Sequence, residues 1–187
     1  MARPIEYDRD SVLNSAMEVF WRQGYDSTSM KDLVKATGLS TRSMYNIFES
    51  KNGLFNASLN WYFETNVRKR YEKLIKDVGL HAIKNFMLTT ASSKRKNGCL
   101  YVNTVSERSC INSDSLSIVD QYFNDLEVAF KTKLIYAQKH EGYKGDPELR
   151  SKQLVVIIQG LSVHSKTTES LEENKLIVED LLSLMGI

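Results

Sequence analysis

The segment Thr41-Arg42-Ser43-Met44-Tyr45-Asn46-Ile47-Phe48 carries two kinds of chemistry. Met44, Ile47 and Phe48 recur at helical spacing and make one apolar face. Thr41, Arg42, Ser43, Tyr45 and Asn46 fall on the other side. A helix anchored by one face and polar on the other suits a DNA major groove. Small hydroxyls at its start permit close approach. The Arg42 fork can pair with two acceptors on a guanine edge, and the Asn46 carboxamide can pair with an adenine edge. The positive end of the helix dipole favours phosphate nearby. Tyr45 and Lys51 suit phosphate contacts.

A second candidate chemistry is a thiol. Cys99 follows the basic run Lys94-Arg95-Lys96 and is expected at a helix N-terminus, where the dipole stabilises thiolate. The competing reading is a small buried apolar residue. Cys110 stands eleven residues on. One straight helix would hold the two sulfurs about 16 Å apart, well beyond the roughly 7 Å between Cα atoms that a disulfide allows. No Cys99–Cys110 bond is expected unless the helix breaks. Three histidines and two cysteines give no close pair at zinc spacing, so no metal or other cofactor is expected. The chain shows no nucleophile elbow, paired carboxylates or phosphate-cradling loop. It reads as a non-enzyme, and a helical enzyme with a merely structural DNA-binding fold is the weaker alternative.

These residues need a scaffold. The chain has 187 residues, 42% hydrophobic and 26% charged, enough to bury a core and too apolar for disorder. Pro4 and Pro147 are the only prolines and the glycines stand singly, so the sequence predicts an all-α fold. Asp8 or Asp10 can cap a first helix carrying Val12, Leu13, Ala16, Met17, Phe20 and Trp21, with Gly24 as its stop. Thr28 or Ser29 can cap a second helix, and Asp32 completes a capping box from Ser29. Gly38 ends that helix, and Ser40 caps the third. Two short helices across a glycine turn, resting on a longer one, form a helix-turn-helix. Net charge is +2 overall, but it splits into zero over residues 1–53, +6 over 54–100 and −4 over 101–187. Affinity for a polyanion must therefore come from placement rather than from a basic tail.

The stretch from Gly24 to Leu54 strongly resembles the DNA-binding domain of TetR/AcrR-family transcriptional regulators. Gly38, Ser40, Met44, Tyr45, Phe48, Lys51 and Leu54 carry that pattern. The resemblance implies that Thr41, Arg42, Ser43 and Asn46 face bases and that Ser29, Tyr45 and Lys51 face phosphates. Lys31 and Ser40 complete the expected DNA-facing set. Asn46 departs from the pattern, since many relatives carry an aromatic residue or histidine there. The resemblance further implies a homodimer on a roughly palindromic double-stranded operator, with a second domain that binds a small-molecule effector. The Gly98-Cys99-Leu100, Asn103 and Glu107 arrangement resembles one branch of the family at the start of its sixth helix.

The expected boundary puts the helix-turn-helix domain at 1–53 and a ligand-binding and dimerisation domain at 54–187, about nine helices in all. From Leu54 a single rod of about 25 residues should run to Gly79 as its stop. Its Arg68-Lys69-Arg70 cluster reads as a solvated face. Further helices are expected over His81 to Ala91, Cys99 to Cys110, residues 114–141 (Ile135 among those facing inward), Leu149 to about Thr168 and Glu172 to Met185. Gly142 to Pro147 should be loop. The effector pocket is expected among Trp61, Tyr62, Phe86, Cys99, Tyr101, Phe123, Phe130 and a mid-helix His164, since such pockets are mostly apolar with few polar groups. The dimer interface is expected on Leu154, Ile157, Ile158 and Leu161 together with Leu176, Ile177, Val178, Leu181, Leu182 and Met185, with Gly160 allowing close approach. The longest apolar stretch, Leu154 to Ser165, is too short for the about 20 residues of a bilayer span, and the N-terminus lacks an apolar signal region. A cytoplasmic repressor released by a small molecule is the expected function. A redox- or electrophile-sensing repressor acting through Cys99 is the alternative.

Overall fold

The computed structural model describes residues 7–93, 96–168 and 170–187, and within them every regular element is helical. The expected basic run loses Lys94 and Arg95, which lie outside the described residues. Helix α1 (Arg9–Gln23) is capped by the Asp8 carboxylate, and α2 (Met30–Thr37) opens on the full Ser29/Asp32 capping box. Gly38, at φ 73°, closes α2 in the left-handed region that glycine adopts without steric cost. Ser40 then caps α3 (Thr41–Phe48) by accepting from the Ser43 N–H at 3.1 Å.

α4 (Lys51–Tyr62), a π-helical segment (Phe63–Val67) and α5 (Arg68–Lys76) follow one another without a break and form the expected rod. Counted once, that rod makes nine helices among the described residues. Its far end is Lys76 rather than Gly79. Gly79 instead opens α6 (Gly79–Ala91) at φ 62°, because a Cβ there would overlap the Glu141 carboxylate that accepts from the Leu80 N–H. Lys133, almost wholly buried, reaches from α8 to donate to the Ile75 carbonyl at 2.8 Å and so satisfies one of the rod's open C-terminal acceptors.

α7 (Leu100–Ser106) is shorter than expected. It breaks at Glu107 into a single 3-10 turn (Arg108–Cys110). α8 (Ser113–His140) spans 28 residues and buries Val119, Tyr122, Phe123, Leu126, Phe130 and Leu134. Ile135 instead faces outward, one position off that stripe. α9 (Pro147–His164) begins on Pro147, whose fixed φ suits a first helical position, so the preceding loop ends at Asp146. Glu148 on α9 meets both Lys131 of α8 and Lys152, and these two ammonium groups lower its pKa to about 2. α10 (Leu171–Leu184) completes the chain against α6.

The buried interior is continuous from Val12 to Met185. Phe55, beyond the expected boundary at 53, packs at 4.8 Å from Phe20 and 4.9 Å from Tyr25. The first turns of the rod therefore belong to the helix-turn-helix core. No helix among the described residues is long and apolar enough to cross a membrane.

Candidate DNA interface and effector region

The recognition segment is built from the core outward. Leu33, Leu39, Met44 and Phe48 are buried beneath α2 and α3. Thr41, Arg42, Tyr45 and Asn46 are exposed on the opposite side, with Ser43 partly covered. Arg42 and Asn46 make no hydrogen bond or ion pair among the described residues, so both heads are available to a groove. Ser40 and Ser43 share a contact of 2.9 Å between their hydroxyls. Ser29 and Asp32 are tied to each other, which leaves Ser29 exposed at the N-terminus of α2 beside the exposed Lys31. Lys51 is held against the protein: its ammonium lies 4.3 Å from the centre of the Tyr25 ring, and the Tyr25 hydroxyl donates to Asn52. Partial burial lowers the Lys51 pKa, while Asp26 and Glu107 act in the opposite direction.

α3 is joined to the rod by a tight corner. Glu49 takes φ 66°, and a Cβ at Gly53 would collide with the Phe48 carbonyl. Only glycine allows the two helix ends to approach so closely.

A second contact ties the two halves together. The Glu107 carboxylate, from the break after α7, accepts from the Tyr25 N–H at 2.8 Å and the Asp26 N–H at 3.0 Å. Asn103, one turn earlier, donates to the Trp21 carbonyl at 3.5 Å and accepts from Lys166 at 2.6 Å. A chain of rings runs beside this clamp: Trp21–Tyr62 at 5.1 Å, Tyr62–Tyr101 at 5.3 Å and Tyr101–Tyr122 at 4.8 Å. These contacts put residues about 80 positions apart into one network. Sequence reasoning noted Glu107 only through resemblance, since nothing local signals its partner.

The expected effector residues are mostly packed rather than open. Tyr62, Phe86, Tyr101, Phe123 and Phe130 are buried, with Phe86 and Phe130 edge to face at 5.6 Å. Burial pushes the Tyr101 phenol well above its ordinary pKa. Trp61 is half-buried. His164 is the last residue of α9 rather than a mid-helix one. Cys99 is 4% exposed, accepts from the Tyr62 hydroxyl at 3.5 Å, and donates its backbone N–H to Ser162 at 2.7 Å. Cys110 is exposed, and both thiols are free. A half-open cavity of about 440 Å³ lies between the rod and α6, and of the expected set only Phe86 lines it.

Residues 12–58 match the model for the tetR family of bacterial regulatory proteins. The N-terminal unit therefore carries a DNA-binding domain of the tetR type, and over most of its length the chain is similar to HTH-type transcriptional regulators. The TetR-family match runs from the first buried residue of α1 into the rod, in line with the packing of Phe55. Over 180 residues the chain is 29% identical to the HTH-type transcriptional repressor ComR of Escherichia coli, covering 91% of this chain and 85% of ComR. It is 26% identical over 158 residues to YezE of Bacillus subtilis, an uncharacterized HTH-type regulator, covering 78% of each. Its fold is that of a cysteine-substituted mutant of the TetR-family regulator CifR, solved with a 26-base-pair double-stranded operator DNA. That likeness has a TM-score of 0.81 at 23% identity and covers 97% of this chain and 98% of CifR.

The half-buried Lys51 gives a direct test of phosphate contact. Lys51→Ala should weaken binding across all DNA sequences and flatten the plot of log affinity against log salt by about one unit per half-site. Titration at several salt concentrations measures this, and an unchanged slope would remove Lys51 from the phosphate contacts.

Proposed function

We propose that this chain is a repressor that binds a pseudo-palindromic operator as a homodimer and leaves it when a small-molecule effector occupies the C-terminal helices. The observation that carries this reading is the split of α3: Met44 and Phe48 are anchored, while Thr41, Arg42, Tyr45 and Asn46 stand clear. The exposed set matches the residue types that read base edges and phosphates. The repressor sense is supported by the name of ComR, and double-stranded operator DNA as partner by the CifR complex.

A second copy has a natural seat on α9 and α10, on a different face of α9 from the one expected, while Leu176 and Ile177 of the expected α10 set remain exposed. Leu154, Ile158 and Leu161 pack inward, as do Val178, Leu182 and Met185. The outward stripe is Leu149, Val156 and Val163, repeating every seven residues, with Val156 63% exposed and Gly160 open beside it. On α10, Leu176, Ile177 and Leu184 are also exposed, with Leu184 73% exposed. Exposed apolar side chains spaced along one helix face favour burial against another chain, and a two-fold pairing would set two α3 helices to read half-sites about 34 Å apart. Val156→Glu should shift the protein from dimer to monomer in sedimentation equilibrium while its helical circular dichroism is retained. A dimer unaffected by Val156→Glu would move the interface elsewhere.

The burial of Cys99 favours an effector over a thiol trigger. Release by diamide that is abolished in Cys99→Ser would reverse that preference. The reading as a whole is tested by selecting genomic fragments with the protein and measuring retardation of the enriched fragments. Failure to enrich any fragment at low salt would overturn it.

A further inference from the structure

The cavity between the rod and α6 has a lining that differs from the aromatic core around it. Its floor is apolar, with Leu74, Ala82 and Phe86 all buried. Its rim is cationic and amide-rich: Lys69, Arg70 and Lys73 from α5, Asn66 from the π-helical segment and Asn85 from α6. None of its lining residues is acidic. The nearby carboxylates are engaged elsewhere, since Glu64 and Glu72 both bind Arg68, Glu72 at 2.8 Å. Lys69 and Lys73 have no carboxylate partner among the described residues. They stand four residues apart on one helix face, where like charges repel. An oxyanion between them would relieve that repulsion and gain charge-assisted hydrogen bonds.

We propose that this groove binds an organic oxyanion, a carboxylate or phosphate on a short apolar body, with the head between Lys69 and Lys73 and the body on Leu74 and Phe86. The inference rests on the effector reading above and gives it a site and a chemical class. A volume of about 440 Å³ suits a small molecule. The groove also opens on the rod's irregular turn. Thr65 and Asn66 lie in the π-helical segment, and the Asn66 carboxamide donates toward the Met17 sulfur of α1 at 3.8 Å. Single π-turns inside α-helices recur at functional sites because they allow a second local geometry. A ligand that prefers one geometry of that turn acts on the rod, and through the rod on α3.

The test uses octanoate and hexyl phosphate as probes, with octanol as the neutral control, at constant ionic strength. Calorimetry should show both anions binding the wild-type dimer, and octanol binding at least about tenfold more weakly, since the charged head supplies the difference. The Lys69→Gln/Lys73→Gln double variant should lose about tenfold or more in anion affinity, and Lys84→Gln should lose none. Binding by octanoate alone or by hexyl phosphate alone tells carboxylate from phosphate. Saturating anion should then weaken retardation of the selected operator fragment. No binding by either anion, equal binding of octanol, or unchanged affinity in the double variant would overturn the site. Anion binding that leaves operator affinity unchanged would overturn its effector role. Loss of DNA affinity in the double variant without any anion would reassign the lysines to the DNA backbone. Because calorimetry needs no DNA, failure of the groove is separable from failure of the DNA-binding reading.

Discussion

Gly24→Ala is expected to destabilise the N-terminal unit by about 3–5 kcal/mol, from two costs that fall on one atom. Gly24 has φ 83° and ψ 170°, a conformation that only glycine adopts readily. Forcing alanine into it costs about 1–3 kcal/mol. The added Cβ would also overlap the Glu107 carboxylate. Glu107 must then leave the Tyr25 and Asp26 N–H groups, and hydrogen bonds to a charged group are worth about 1.5–3 kcal/mol, less where water can replace them. Denaturant unfolding of Gly24→Ala, Glu107→Ala and the double variant measures both parts. The double variant should lose less than the sum of the singles, because removing the carboxylate removes the overlap. Strict additivity would show that the backbone cost acts alone and that the Glu107 clamp contributes nothing at Gly24.

Arg42→Ala should cost about 1–3 kcal/mol per half-site, so about 2–6 kcal/mol for a dimer occupying both, and should relax base preference at one operator position. The argument is geometric. Arg42 lies in the first turn of α3, is exposed, and has no partner among the described residues that it must leave before meeting a base. Neighbouring Met44 is buried, so the helix cannot rotate to hide the guanidinium without opening the core. Affinity measured on the selected operator and on single-base variants decides the role. An equal loss on every sequence would make Arg42 a backbone contact.

The DNA-binding half was legible in the sequence because its signals are local. Ser29 with Asp32, Gly38 and Ser40 each act within four residues, and the structure uses all of them as read. The alternation of Met44, Ile47 and Phe48 with polar neighbours fixed which side of α3 is exposed. The C-terminal half was legible as helices but less so as surfaces. α9 is apolar almost all round, so periodicity could not separate Leu154, Ile158 and Leu161 from Val156 and Val163; the choice is made by α8 packing on one side. The aromatic residues chosen for a pocket are the ones that fill space best, and Tyr62, Tyr101 and Phe130 fill the core. The groove on α5 was hidden because the Arg68-Lys69-Arg70 run looks like any solvated face until α6 supplies the opposite wall. The break after α7 had no local warning either, since Glu107 stops that helix while facing partners 81 and 82 residues away.

The corner at Gly53 decides how the rod can be used. With Phe48 and Gly53 in direct backbone apposition, little slack remains between α3 and α4, so a tilt of the rod would carry α3 with it. The π-helical segment at Phe63–Val67 lies roughly 20 Å along the helix axis from Lys51. A tilt of about 5° there would sweep the reading head by about 2 Å, since displacement grows with arm length. Hydrogen bonds to bases tolerate only a few tenths of an ångström, so on the proposed reading a modest unwinding or rewinding of one turn would be mechanically sufficient to spoil the fit of α3 to an operator.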